Sequence, residues 1–337
     1  MSGKPIRPTK PVVAMALSRS VYEQMFTPQS LQWLSEAADV RGPVDVASAE
    51  AVTPILADAQ VAITGWGTAR FDSALLSCCA KLRMVAHSAG SVKGIVTDAV
   101  FERGIRVTTA AGANAPAVAE TTVAMMVVML KRIPWLFAFN GDKQLVKTIG
   151  PIRELRDLCV GIISASRVGR EVLRLLKHYP RLRVRVYDPY LSADEAAELG
   201  VEKATLEQVC GCDVVSVHAP SIPETRHMLN ARTLALLPDH AVLINTSRGS
   251  LIDESALVAE VRRRPLYVYL DVTDPEPPGP DSPLRGERNI LLTPHVAGAM
   301  NQGRRDMGRL AIEEALRFLR GEPLDHEVTR VMLQTQA

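Results

Sequence analysis

Four polar residues follow apolar runs in the second half of the chain, and together they could move a proton and bind an anion. The runs end at His218, Arg248, Asp271 and His295. In an open parallel sheet, the carboxyl ends of the strands line the ligand crevice, so we expect these side chains to surround one site. Any one of them alone would more often be an ordinary loop residue. Their convergence at one edge favours a functional site.

A small-residue turn forms a second candidate site. Residues 159–172 have the order strand, turn and helix of a Rossmann unit, but only Gly169 remains of the pattern G-x-G-x-x-G, with Ser164 and Ser166 before it. Asp188 ends the next apolar run. A carboxylate there can accept hydrogen bonds from both hydroxyls of an adenosine ribose and would repel a 2′-phosphate. The segment therefore predicts NAD rather than NADP binding.

The two serines leave an alternative open at this turn. They could be an ordinary pair of helix N-cap residues with no ligand. Against this, a helix N-terminus offers free N–H groups to a phosphate, and a serine hydroxyl can donate to one. The Cβ of Ser166 would crowd the pyrophosphate, so we expect weakened affinity rather than lost binding.

The elements that must position these residues follow an alternating pattern. Short apolar runs alternate with longer amphipathic stretches, as in parallel strands joined by helical crossovers. An Ala/Met/Val-rich stretch from Gly112 to about Arg132 predicts one long helix, either a hinge or dimer element or a buried core helix. The strand candidates are residues 11–17, 60–64, 82–87, 105–108, 158–163, 182–187, 213–218, 241–246, 266–272 and 290–293.

We therefore predict an α/β fold with two doubly wound parallel-sheet domains. The last helix candidate, residues 301–319, carries no strand of its own and must pack on an earlier domain. A discontinuous, flavodoxin-like substrate domain is expected over residues 1–114 and 300–337, and a Rossmann-type NAD domain over residues 115–299. Closure of the cleft between them would exclude water.

Composition excludes several classes of function. The chain has 337 residues with 39 Lys+Arg against 37 Asp+Glu, and a formal charge of +2 leaves no basic field for nucleic acid. The longest strongly apolar run, residues 123–130, is shorter than the ~20 residues of a membrane span. The N-terminus shows no signal-peptide pattern. We expect a soluble, cytoplasmic protein with neither nucleic-acid nor membrane partners.

The five cysteines form no recognisable framework. Cys78 and Cys79 are adjacent, Cys210 and Cys212 flank one glycine, and Cys159 stands alone. Neither zinc spacing nor Cys-x-x-Cys occurs, so we expect no metal and free thiols in a reducing compartment. A catalytic cysteine is the alternative.

Three late segments resemble the signature blocks of the D-isomer-specific 2-hydroxyacid dehydrogenases. They are residues 244–254 (INTSRGSLIDE), 270–277 (LDVTDPEP) and 293–298 (TPHVAG), and residues 85–94, 112–120 and 218–225 match other family segments in order. The resemblance implies interconversion of a 2-hydroxy acid and its 2-oxo acid with NAD as cofactor, and a D configuration of the hydroxy acid.

The resemblance also implies that Arg248, Glu276 and His295 are the catalytic set. The planar fork of Arg248 can hold a carboxylate and polarise the 2-oxo group. His295 can exchange a proton with the carbonyl oxygen near neutral pH, and a paired Glu276 would favour the imidazolium. Glu276 argues against the formate dehydrogenase branch, which places a glutamine beside its histidine. The alternative is a solvated carboxylate in a Pro-rich loop.

By the same resemblance, two further sets border the ligands. The cofactor set is Ser166, Arg167, Val168, Asp188, His218, Pro220, Thr225, Thr246, Ser247, Asp271 and Gly298. The substrate set is Gly90, Ser91, Val92 and Arg248, and Trp66 joins it because it lies between Gly65 and Gly67 after a strand candidate. Val92 stands where the family usually has glycine, so the loop shape differs. Trp66 would suit a bulky or aromatic substituent, or else it is a half-buried packing residue.

Two other functional classes remain open. One is an NADH-sensing corepressor that keeps the fold and the cofactor site, although long disordered tails are missing here. The other is a catalytically weak relative, disabled at Ser164, Ser166 and Val92. We also expect a homodimer through the helix over residues 116–133. The sequence does not identify the substrate.

Overall fold

The computed structural model describes residues 10–137, 141 and 143–335. The described residues of 10–114 and 299–335 belong to a first compact unit, and those of 115–298 belong to a second. The prediction that the N-terminus has no signal peptide rests in part on residues 1–9, which lie outside the described residues.

Each unit contains one parallel sheet, and the predicted α/β class with two doubly wound sheets is confirmed. The strands of the first unit are β1 (Val12–Ala16), β2 (Asp39–Arg41), β3 (Val61–Thr64), β4 (Met84–His87) and β5 (Arg106–Thr109). Those of the second unit are β6 (Cys159–Ile163), β7 (Arg183–Tyr187), β8 (Glu202–Lys203), β9 (Val214–Val217), β10 (Val242–Asn245), β11 (Tyr267–Leu270) and β12 (Ile290–Leu292).

The strand orders are those of two doubly wound folds. The first sheet runs β2-β1-β3-β4-β5, the flavodoxin-like order, and the second runs β12-β11-β10-β9-β6-β7-β8, which is the Rossmann order with one added edge strand. Central strands such as β3, β4 and β10 are buried at every residue, as expected for sheets covered on both faces.

Helices connect these strands. They are α1 (Arg19–Met25), α2 (Pro28–Ala37), α3 (Ala49–Leu56), α4 (Ser73–Ser77), α5 (Asp98–Glu102), α6 (Ala111–Leu130), α7 (Ile133–Leu136), α8 (Lys143–Thr148), α9 (Arg167–Leu176), α10 (Ala193–Leu199), α11 (Leu206–Cys210), α12 (Ala231–Leu234), α13 (Glu254–Arg263), α14 (Gln302–Arg320) and α15 (Arg330–Thr335). Short 3-10 turns lie at Pro223–Thr225, Gly249–Leu251 and Pro283–Gly286.

The last long helix packs on the first sheet. Met307, Ala311 and Ile312 of α14 lie in one apolar cluster with Met15 and Met84 of the sheet. This burial explains why a chain end without a strand of its own belongs to the first unit.

Helix α6 is long and apolar enough by length and composition to cross a membrane. The sequence expectation missed this, because it counted uninterrupted apolar residues and Glu120, Thr121 and Thr122 interrupt the apolar sequence of α6. About 44% of its apolar window is buried inside the protein, and Ala119, Met126 and Leu130 lie in the core of the second unit. A core helix passes the same test of length and composition.

The prediction that all cysteines are free thiols was wrong for one pair. Cys159, the first residue of β6, forms a disulfide with Cys212, which lies just before β9. The pairing of β6 with β9 brings the two residues together, and their sequence spacing carries no sign of it. Cys78, Cys79 and Cys210 are free thiols. Burial raises the pKa of Cys79 to about 11 and that of Cys210 to about 12, so neither is a ready nucleophile.

Candidate functional site

Strand register places the candidate residues of the second unit at one edge of its sheet. Ile163 pairs with Val217, Val217 with Asn245, and Asn245 with Leu270. Since Leu270 in turn pairs with Leu292, all five strands end at the same level. The residues that follow directly are Ser164, His218, Thr246, Asp271 and Thr293. The strand ends thus meet at one edge, where His218 and Asp271 lie directly, while Arg248 and His295 follow two residues after Thr246 and Thr293.

His295 and Glu276 form a pair at this edge. The Nδ1 atom of His295 lies 2.6 Å from Oε1 of Glu276, and the two side chains remain 46% and 41% exposed. A carboxylate at Nδ1 holds a proton on that nitrogen, which leaves Nε2 directed to another partner. This arrangement favours proton exchange at Nε2.

Asp271 fixes the loop that carries His295. Its carboxylate is 1% exposed and accepts hydrogen bonds from the backbone N–H groups of Val296 at 2.9 Å and Ala297 at 2.8 Å. It also accepts from the hydroxyl of Thr293. These contacts make Asp271 a positioning residue for the loop, in addition to its predicted place near the nicotinamide.

Arg248 is oriented by the turn after β10. The side-chain amide of Asn245 donates to the Arg248 carbonyl at 2.8 Å, and the N–H of Ser247 donates to the Asn245 amide oxygen at 3.0 Å. Burial lowers the pKa of Arg248 below its usual value, and the negative charge of Glu276 opposes this shift. The guanidinium thus remains a cation held in a partly desolvated place, where it attracts an anion strongly.

The Arg248 turn packs directly against the loop that carries Glu276. A Cβ on Gly249 would collide with the carbonyl of Thr273, so only glycine lets the two segments approach this closely. The Glu254 carboxylate accepts a hydrogen bond of 2.8 Å from the Asp274 N–H and holds the same loop. Sequence reasoning missed Asn245, Gly249 and Glu254 as positioning residues, although all three stand in the first signature block.

The dinucleotide turn has the predicted strand–turn–helix structure. Ser166 is the N-cap of α9, and its hydroxyl accepts from the Gly169 N–H and donates to the His218 carbonyl at 2.8 Å. The structure thus commits this hydroxyl to the protein rather than to a phosphate. A Cβ on Gly169 would collide with the Ser164 carbonyl, which explains why the third glycine is present.

Asp188 lies at the end of β7 with a carboxylate that the turn already engages. Oδ2 accepts from the Ser164 hydroxyl at 3.0 Å and from the Ala165 N–H at 2.8 Å, while Oδ1 accepts from the Tyr190 N–H at 2.8 Å. Asp188 is 8% exposed. The predicted ribose carboxylate is therefore at the expected place but not free.

Several other predicted cofactor residues lie along the same edge. Burial lowers the pKa of His218 to about 3, its Nε2 lies 2.9 Å from the Ser216 hydroxyl, and its buried Nδ1 contacts no protein partner. Three other polar residues of the predicted set form hydrogen bonds within the protein: Thr225 with the Pro220 carbonyl, Ser247 with the Ala219 carbonyl, and Thr246 with the hydroxyl of Thr122 in α6. Gly298 is half-buried beside Ala297.

These residues fit a dinucleotide. The N-terminus of α9 presents the N–H groups of Arg167 and Val168, which have no partner within the helix, to a pyrophosphate. The His218 Nδ1 atom, which has no hydrogen-bond partner, and the Asp188 carboxylate are further polar groups at this edge. When bound, NAD would be held by these groups.

The predicted substrate residues of the first unit divide into two kinds. Trp66 is 44% exposed, whereas Val92 is 3% exposed and belongs to an apolar core cluster. The side chain of Val92 packs inward, so the prediction that this residue borders the substrate stays a prediction that concerns its backbone. Gly90 and Ser91 lie beside it, and the Gly90 carbonyl accepts from Thr109 at 2.6 Å.

Sequence reasoning missed Arg304 in the same unit. Its guanidinium lies 5.5 Å from the centre of the Trp66 ring and donates to Gln24 and to the Met300 sulfur, while its buried Nε contacts no partner. The side chain holds the exposed indole by a cation–π contact. Its position six residues after the third signature block was the available signal.

Comparison with known proteins supports the same chemistry. Residues 123–297 match the family model described as "D-isomer specific 2-hydroxyacid dehydrogenase, NAD binding domain". A D-3-phosphoglycerate dehydrogenase from Methanocaldococcus jannaschii is 30% identical over 85% of this chain and 55% of its own length. An (S)-sulfolactate dehydrogenase from Chromohalobacter salexigens is 32% identical over 74% of this chain and 82% of its own length.

Solved structures share the whole fold. The TT0316 protein from Thermus thermophilus is 27% identical, with a TM-score of 0.74 that covers 94% of this chain and 100% of that one. The chain spans about half the length of the phosphoglycerate dehydrogenases that it matches.

Proposed function

Because the chain belongs to the D-isomer specific 2-hydroxyacid dehydrogenase family, we propose that it interconverts a 2-hydroxy acid and its 2-oxo acid. The matched segment is the NAD-binding domain of that family, so NAD is the cofactor. The observation that carries the proposal is the His295–Glu276 pair of 2.6 Å at the sheet edge where the Arg248 turn also lies.

His295 exchanges the proton of the reaction. Bound NADH supplies a hydride to the 2-carbon of the oxo acid, and this is the chemistry that the cofactor contributes. Nε2 of the imidazolium gives its proton to the carbonyl oxygen, which becomes the hydroxyl, and takes that proton back in the oxidation direction. Glu276, 2.6 Å from Nδ1, orients the ring and stabilises its charged form.

Arg248 binds and polarises the substrate. Its fork can pair with the carboxylate of the 2-oxo acid and draw electron density toward the carbonyl oxygen, since both acceptors lie on adjacent carbons. The Asn245 amide and Gly249 hold the turn that aims it. A lysine could supply the charge but not the planar geometry.

The proposal also concerns the size of the substituent on the 2-oxo acid. The exposed indole of Trp66, which contacts the Arg304 guanidinium, supports a 2-oxo acid with a bulky or aromatic side chain as the substrate. The product of its reduction would be the D-hydroxy acid.

The test of this substrate class is NADH oxidation with a panel of 2-oxo acids from glyoxylate to phenylpyruvate, followed by chiral analysis of the product. We expect the highest kcat/KM with bulky acids, and a Trp66→Ala variant whose preference shifts to small ones. An unchanged profile contradicts the role of Trp66, and an L product contradicts the stereochemistry.

A further inference from the structure

Ser164 has an unusual place in the dinucleotide turn. Its backbone φ is +78°, in the left-handed region where glycine is the favoured residue, and its hydroxyl donates to Oδ2 of Asp188 at 3.0 Å. A glycine would adopt this backbone angle without strain. The chain instead has a serine here, and its side chain is directed at the predicted ribose carboxylate.

The acceptor capacity of Asp188 is nearly used up by the protein itself. A carboxylate offers about four lone-pair positions, two on each oxygen. Oδ2 accepts from the Ser164 hydroxyl and from the Ala165 N–H, and Oδ1 accepts from the Tyr190 N–H. One position thus remains for a ligand, whereas an adenosine ribose brings two hydroxyl donors.

The three groups that donate to Asp188 differ in whether they belong to the backbone or to a side chain. The N–H groups of Ala165 and Tyr190 belong to the backbone and would donate with any residue at those positions. The Ser164 hydroxyl is a side-chain donor on the turn itself. It is the one occupant of the Asp188 carboxylate that a substitution can remove without changing the backbone contacts.

We propose that Ser164 competes with the adenosine ribose for Asp188 and thereby lowers the affinity for the dinucleotide. The hydroxyl must leave Oδ2 before Asp188 can accept both ribose hydroxyls, and binding bears the cost of breaking that charge-assisted hydrogen bond. Ser164 is thus a specificity-determining residue of the cofactor site in this chain. The proposal rests on the assignment of NAD as cofactor.

The first arm of the test measures the dissociation constant of ADP-ribose by isothermal titration calorimetry, which involves no catalysis. We expect Ser164→Ala and Ser164→Gly to bind ADP-ribose about three- to tenfold more tightly than the unsubstituted protein. The alanine variant keeps a Cβ at positive φ, whereas the glycine variant removes the backbone strain. Both variants lack the hydroxyl, so an effect of the hydroxyl must occur in both. Tighter binding by the Gly variant alone would attribute the effect to backbone strain and overturn the proposal.

The second arm uses 2′-deoxy-ADP-ribose, which brings one hydroxyl to the carboxylate instead of two. The unsubstituted protein should bind it about as well as ADP-ribose, because a single acceptor position is free. Ser164→Ala should prefer ADP-ribose by about three- to tenfold. If the ratio of the two dissociation constants is the same in both proteins, Ser164 does not compete with the ribose and the proposal is overturned.

A titration of the same proteins with NADH separates this proposal from the proposed function. If the unsubstituted protein binds NADH and ADP-ribose but Ser164→Ala binds neither more tightly, the Ser164 proposal fails alone. If neither the protein nor its correctly folded variants, checked by circular dichroism, bind either ligand, the assignment of NAD fails with it.

Discussion

The proposed chemistry rests on three side chains whose charges have separate tasks. In this proposal Arg248 supplies a cation for the carboxylate, His295 exchanges a proton, and Glu276 lies 2.6 Å from the ring and fixes its orientation. The signature blocks predict all three from sequence. They do not reveal that Asp188 already accepts a hydrogen bond from Ser164, because that contact depends on the backbone angle at Ser164 as well as on its hydroxyl.

Replacement of Arg248 by lysine tests the planar fork. The charge remains, but one ammonium cannot bind the carboxylate and polarise the carbonyl at once, so kcat/KM for any accepted 2-oxo acid should fall about 10²- to 10³-fold. Steady-state NADH oxidation measures this. Arg232→Lys is the matched control, since Arg232 pairs with Glu207 on the surface, and it should retain full activity. Full activity in Arg248→Lys would remove Arg248 from the chemistry.

Replacement of Glu276 by glutamine tests the charge beside His295. The amide oxygen can still accept a hydrogen bond from Nδ1, but the variant no longer places a negative charge beside the ring. The value of kcat for 2-oxo acid reduction at pH 7 should therefore fall about tenfold, with NADH affinity unchanged. An unchanged kcat in the variant would show that the carboxylate does not support the histidine.

The strands that carry these residues could mostly be predicted from runs of apolar residues in the sequence. Each predicted strand run overlaps an observed strand, because central strands of a covered parallel sheet consist of apolar residues. The sequence did not reveal β2 and β8, which are short edge strands rich in charge. Nor did it reveal the disulfide, since Cys159 and Cys212 meet only through sheet pairing.

The end of β4 carries a buried histidine that makes the first unit acid-sensitive. Burial lowers the pKa of His87 to about 4, and its Nδ1 contacts the Thr64 hydroxyl at 2.9 Å. The unfolded chain therefore takes up a proton first, near pH 6.5. The neutral ring contributes fully to stability above pH 6.5, and that contribution, roughly 3 kcal/mol, is lost as the pH falls toward 4.

Urea unfolding at pH 7.0, 5.5 and 4.5 checks this prediction. His87→Gln should weaken the decline of the free energy of unfolding with acid, whereas His178→Gln, at an exposed position, should leave the decline unchanged. Equal declines in all three proteins would contradict a neutral, buried His87.

For the whole molecule, we propose a homodimer formed through helix α6. One side of this helix leaves Ala117, Ala124 and Val128 exposed or half-exposed, with the exposed Glu120 among them, and Phe137 beyond it is 84% exposed. Exposed apolar side chains beside a polar one are typical of protein–protein interfaces. The sequence predicted the helix from its composition, but residue types alone do not show which side faces outward.

Light scattering coupled to gel filtration tests the assembly. The unsubstituted protein should have the mass of two 36.7 kDa chains, and Ala124→Arg should shift it to one chain by placing a charge in the interface. Ala193→Arg, on the exposed surface of α10, is the control and should remain dimeric. A monomeric unsubstituted protein would contradict the proposal.

The central claim is that His295 exchanges the proton in an NADH-dependent reduction of a 2-oxo acid. The most direct test measures NADH oxidation with the 2-oxo acid panel for the unsubstituted protein and for His295→Gln, together with the dissociation constant of NADH for both. We expect turnover with at least one acid, a fall in kcat of about 10²-fold or more in the variant, and NADH affinity unchanged within about twofold. Equal turnover in the variant, or no oxidation of NADH with any acid, would contradict it.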